Sequence, residues 1–159
     1  MLDIQGIVDT CVKNPLFAIG NYGPIILILI NIYYLYDIYF WLCIYLVFVA
    51  INTALNKGLK ELIKDPRPNN GSMTRENYGM PSGHTQSAMF SVIFYYLMFD
   101  IDEILYSMLF ITGITSIQRY YSRSHSILQI LAGLCIGGIF AWIVYYFIKK
   151  YKSKILSFV

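Results

Sequence analysis

Both histidines of the chain, His84 and His125, stand where a polar stretch runs into a long apolar one. His84 closes the tetrapeptide Pro81-Ser82-Gly83-His84. There the proline sets the backbone, Ser82 can cap a helix N-terminus, and Gly83 lets an anion approach the first amides of the helix that follows. An imidazole projecting from that first turn can stabilise negative charge and pass a proton. His125 lies six residues after Arg119 and four before Gln129. On a helix that last spacing brings the Gln129 side chain to the ring nitrogen turned away from the site. A third polar stretch runs from Lys60 to Pro68, with Arg67 between Pro66 and Pro68, which end any helix and stiffen the backbone that carries the guanidinium. Alone, each stretch has an ordinary reading as a helix cap, an interfacial histidine or a basic membrane border. Converging, they describe a site for an anion.

The elements that must position these residues are membrane spans. With 57% hydrophobic and 13% charged residues, the chain lacks the polar groups needed to cover a soluble domain. Its net charge of +3, without a basic run interleaved with aromatics, gives nucleic-acid binding no support. Apolar runs at 16–36, 38–56, 85–99, 104–118 and 126–148 predict five spans. An amphipathic segment, 1–14, precedes them, with Ile4, Ile7, Val8 and Cys11 on one face. A sixth span there would carry Asp9 and Lys13 into lipid. The predicted fold is therefore all-α, a single multi-span helical bundle with an active-site loop at 57–81 and a basic tail at 149–159. Five antiparallel spans put that loop and the 119–125 connection on one membrane face. Cys11, Cys43 and Cys135 form no CxxC pair and are expected as buried small hydrophobes. The cluster Tyr33, Tyr34, Tyr36, Tyr39, Phe40 and Trp41 suits either an aromatic belt or core packing.

Together the three stretches resemble the type 2 phosphatidic acid phosphatase (PAP2, lipid phosphate phosphatase) family. Its pattern is Lys, six residues, Arg-Pro; then Pro-Ser-Gly-His; then Ser-Arg, five residues, His, three residues, Asp. Lys60 to Pro68 and Pro81 to His84 complete the first two motifs, and Arg119 and His125 keep the spacing of the third. Gly133 and Gly137 follow as family members often have them. Two positions depart: Gln118 stands for the Ser and Gln129 for the Asp. A rival register on Ser122-Arg123 would place Gln129 at the nucleophile and Gly133 at the acid, losing both essential groups.

The resemblance implies a metal-free, cofactor-free phosphohydrolase acting on a lipid phosphate or polyprenyl diphosphate. Lys60, Arg67 and Arg119, with Ser82 and the Gly83 amide, would hold the phosphoryl oxygens. His125 would attack phosphorus, and His84 would protonate the leaving oxygen. Gln129 would orient His125 but brings no charge, so the resemblance also admits an impaired or silent protein that binds lipid phosphates or membrane partners. Asp65 or Glu76 in the loop could supply the missing carboxylate. His125 and Arg119 are expected at the mouth of the site, outside the packed spans. The site face would carry eight Lys/Arg against four at the C-terminal side, whereas the resemblance implies an extracytoplasmic or lumenal site.

Overall fold

The computed structural model describes residues 15–68, 78–99 and 101–156, with side chains through 151. The amphipathic segment 1–14, Glu76 and the end of the tail, 157–159, lie outside the described residues. Among the described residues five helices run in order: α1 (Pro15–Leu35), α2 (Tyr39–Ile63), α3 (Gly83–Phe99), α4 (Asp102–Tyr121) and α5 (Ile127–Leu156). The all-α bundle expected from the apolar runs is present. By length and composition α1, α2 and the Ile127–Tyr151 stretch of α5 can each cross a membrane. Polar residues dilute α3 and α4, and they turn inward: Thr85, Gln86, Ser91, Thr112, Thr115, Gln118 and Arg119 are all buried. A helix whose polar face meets its neighbours needs fewer apolar residues.

α3 is the central helix and touches the other four. Its Phe90 and Phe94 pack with Tyr45 of α2 and with Ala141 and Val144 of α5. Ala88, Val92 and Tyr95 meet Leu27 of α1 and Met108 of α4. α5 approaches α3 closely because it presents Gly133 and Gly137 there. A Cβ on Gly133 would stand 2.6 Å from the Ser82 carbonyl oxygen, and one on Gly137 would strike the Gln86 backbone.

Two boundaries differ from the apolar runs. α2 continues to Ile63, so Lys57 to Ile63 are helical and Lys60 is a helix residue. The helix stops ahead of Pro66 with Lys64 in the left-handed region at φ 54, its N–H bonded to the Lys60 carbonyl. At the other end, 149–156 continue α5 instead of forming a tail, because Lys, Tyr and Ser there supply no breaker. Cys43 and Cys135 are exposed, not buried. An outer surface that also exposes Ile25, Leu29, Val47, Ile139 and Trp142 is apolar where it faces lipid, so a small hydrophobe fits there equally well. The aromatic cluster divides. Tyr33, Tyr36 and Tyr39 are exposed, whereas Trp41 is buried and stacks on Tyr145 with ring centres 5.6 Å apart.

Candidate active site

The site forms where the start of α3, the end of α2, the α4–α5 turn and the first part of α1 meet. Pro66 and Tyr78 form an isolated antiparallel bridge, and Gly79 N–H donates to the Asp65 carbonyl at 2.7 Å, so the loop leaving α2 is drawn back onto the segment entering α3. Ser82 N–H then donates to the Gln129 carbonyl at 3.0 Å, tying that segment to α5. On α2, the Asn56 amide donates to the Pro81 carbonyl at 3.1 Å and to Gln86 Oε1 at 2.8 Å. These bonds seat Pro-Ser-Gly-His against three other elements.

Ser82 begins α3 differently from the expected cap. Its carbonyl accepts from Gln86 N–H at 3.0 Å, but its fully buried hydroxyl has no hydrogen-bond partner. Arg67 Nε is likewise buried without a partner. The bare face of Gly83 is turned to Asn56 Oδ1, 3.0 Å from where a Cβ would stand, so close helix packing accounts for this glycine.

Arg119 and His125 are buried rather than exposed at the mouth, with relative exposures of 9% and 3%, although His125 still lines an outer pocket. The turn after α4 folds back, so that both Ser124 N–H and His125 N–H donate to the Arg119 carbonyl, at 3.1 and 3.3 Å. The Arg119 guanidinium donates to Asn21 Oδ1 at 2.6 Å and, through Nε, to Gln118 Oε1. Gln118, which replaces the expected Ser, thus holds the arginine. His84 hydrogen-bonds the backbone of Asn21 and feels the charges of Arg119, Lys60 and Arg67. Lys60 and Arg67 are near enough to act on one another. Arg123 is exposed, in the left-handed region at φ 52, and lines that outer pocket together with His125.

Gln129, nearly fully buried, makes the densest set of contacts. Its Oε1 lies 3.2 Å from both His125 Nδ1 and Ser126 N. Its Nε2 lies 2.6 Å from Asp65 Oδ2 and 2.9 Å from the Pro66 carbonyl oxygen. Flipping the amide would set oxygen against two acceptors and NH₂ against a backbone N–H, so only one orientation satisfies all four contacts. The oxygen therefore faces His125, whose Nδ1 carries the proton. The lone pair is left on Nε2. Burial first, and then the positive charge of Arg67, push the His125 imidazole down to about 4, with the Gln129 hydrogen bond acting in the opposite sense and Lys60 and Arg119 adding to the depression.

An open pocket of about 730 Å³ reaches His125 from outside, lined also by Pro68, Tyr120, Tyr121, Arg123, Ile127 and Leu128. Among the described residues no group of three or more His, Cys, Asp or Glu comes together.

The PAP2 superfamily model matches residues 41–153, which include all three motifs. The chain belongs to the PAP2 superfamily. No curated protein and no solved structure matches it. Membership places the chain in a family of phosphatases, and three of its helices are long and apolar enough to cross a membrane. The structure brings Lys60, Arg67, Ser82, Gly83, His84, Arg119, His125 and Gln129 to one end of this PAP2 bundle. The sequence reading missed Asn21 and Asn56. Their signal is that each is an amide inside an apolar helix, where a polar side chain needs a partner.

Proposed function

We propose that the chain hydrolyses a phosphate ester or diphosphate on a lipid through a phosphohistidine. His125 Nε2 attacks phosphorus, the bond from phosphorus to the leaving oxygen breaks, and His84 gives that oxygen a proton. Water then attacks the phosphohistidine, the P–N bond breaks, His84 takes the water proton, and inorganic phosphate leaves. Lys60, Arg67, Arg119, Ser82 and the Gly83 amide hold the equatorial oxygens. Phosphoryl transfer needs chiefly positioning and fixed positive charge, which these groups supply in a buried setting without a metal.

One observation carries this reading: Ser82 Oγ and Arg67 Nε are buried polar groups without partners, at the site where a phosphoryl group would need donors. Such groups are rare in folded proteins because each forfeits a hydrogen bond to water. Oxygens of a bound phosphoryl group satisfy both. The site is read as facing away from the cytoplasm.

A second reading, a silent member that binds lipid phosphates, is favoured by Gln129 where the motif has an acid. Phosphate release by purified protein from a panel of lipid phosphates and a polyprenyl diphosphate separates the two. Release, unaffected by EDTA and blocked by vanadate, is the expected result. A folded protein that binds vanadate yet releases nothing from any of them makes the silent reading the correct one.

A further inference from the structure

Position 129 holds an amide, yet a carboxylate lies directly behind it. Asp65, on the segment leaving α2, accepts from Gln129 Nε2 at 2.6 Å, while Gln129 Oε1 accepts from His125 Nδ1 at 3.2 Å. We infer that Asp65 is a positioning residue for His125, acting through the Gln129 side chain, so that carboxylate, amide and imidazole form one relay. This rests on the reading of His125 as the nucleophile.

Three features make the relay specific. First, polarity: the amide can serve both neighbours only with Nε2 toward Asp65 and Oε1 toward His125, so the carboxylate helps select the tautomer whose Nε2 is free to attack. Second, support: the amide is also held by the Pro66 carbonyl at 2.9 Å and by Ser126 N–H at 3.2 Å, and Asp65 is itself fixed through its carbonyl to Gly79 N–H at 2.7 Å. Third, charge. When Nε2 bonds to phosphorus the ring becomes a cation, keeping its Nδ1 proton throughout. Negative charge on Asp65, transmitted by the polarised amide, stabilises that cation among Arg67, Lys60 and Arg119, the cations that act on the ring. No proton crosses the amide. Asp65 thereby supplies, from one residue farther away, the charge that position 129 lacks.

The test uses full-length protein in nanodiscs. Asp65→Asn keeps an oxygen that can accept from Gln129 but removes the charge. The expected result is a kcat lower by roughly 10- to 100-fold with KM within about twofold, less than the roughly 10⁴ lost when a carboxylate touching a catalytic histidine is neutralised, because the charge is more distant. Asp65→Asn/Gln129→Asp moves the carboxylate directly to His125, and its kcat is expected to return to the parent level or above. A purely structural Asp65 predicts no such rescue. An unchanged kcat in Asp65→Asn, or a double variant no faster than Asp65→Asn, overturns the relay.

Histidine ¹⁵N NMR adds a readout independent of turnover: His125 is expected in the Nδ1–H form in the parent and in Asp65→Asn. An Nε2–H parent overturns the relay. Absence of phosphate release from the parent would count against the hydrolase reading instead, leaving the tautomer to decide the relay.

Discussion

The Gln129 amide donates a 2.6 Å hydrogen bond to the Asp65 carboxylate, joining the first turn of α5 to the segment that leaves α2. Restoring the motif's acid at position 129 therefore sets a second carboxylate beside the first. Like charges in contact force one group to take up a proton or move apart. Gln129→Asp alone is expected to raise kcat less than about threefold, and the gain over parent to reach about tenfold only when Asp65 is also neutralised. Steady-state kinetics of the two variants check this. A tenfold gain from Gln129→Asp alone would mean that Asp65 does not oppose it.

Removing His125 or Arg119 should have different structural consequences. His125→Ala is expected to lower phosphate release by at least about 10³-fold, since the nucleophile is gone. Arg119→Ala should abolish activity and also destabilise, by about 1–3 kcal/mol, because it strips a buried donor from Asn21 and Gln118. Thermal melts in detergent should show a lower Tm for Arg119→Ala than for the parent.

Acid should act on His125 at an unusual point. Its imidazole is held down to about 4, by burial and then by Arg67, against an unfolded value near 6.5. The free nucleophile is consequently available at neutral pH and is lost only as pH falls through about 4. Between the two values the unfolded chain binds the extra proton, so stability declines as pH drops from about 6.5 toward 4. Imidazole NMR should give His125 a midpoint near 4 in the unliganded protein and a higher one with vanadate bound, whose negative charge offsets the cations. A midpoint at the ordinary value without ligand would contradict the burial.

The α3–α5 contact sets a further expectation. Gly137→Ala places a methyl group against the Gln86 backbone, and backbone cannot yield as a flexible side chain does. A loss of about 1–3 kcal/mol is expected. Gly113, with open space around its would-be Cβ, is the control: Gly113→Ala should not lower the Tm. Equal melts for the two variants would show that the helices separate more easily than their packing suggests.

Spacing made part of this site readable and left part of it hidden. Lys60, Arg67, His84 and His125 stood out because rare polar types interrupt apolar runs at motif spacing, and the five helices followed from the runs themselves. Helix ends were less legible: α2 outlasts its apolar run because Lys57 to Ile63, Gly58 apart, are compatible with helix and the first proline comes only at Pro66. Asp65 was visible as a candidate carboxylate, but its partner lies 64 positions away, and only the folded loop brings the two together. The orphaned Ser82 hydroxyl reversed an expectation. A serine before a helix usually caps it, whereas here the side chain is buried without a partner.

The pocket beside His125 has Ile127 and Leu128 at its lip, 58% and 64% exposed. On a bundle wrapped by bilayer, side chains so placed meet acyl tails. The lipid substrate proposed above would then arrive by lateral diffusion without leaving its leaflet, its supply counted per area of membrane instead of per volume of solution. Diluting proteoliposomes at fixed composition should leave turnover per protein unchanged. Adding inert phospholipid to the same vesicles should slow it, in proportion to the fall in the substrate's surface mole fraction when that fraction is far below saturation.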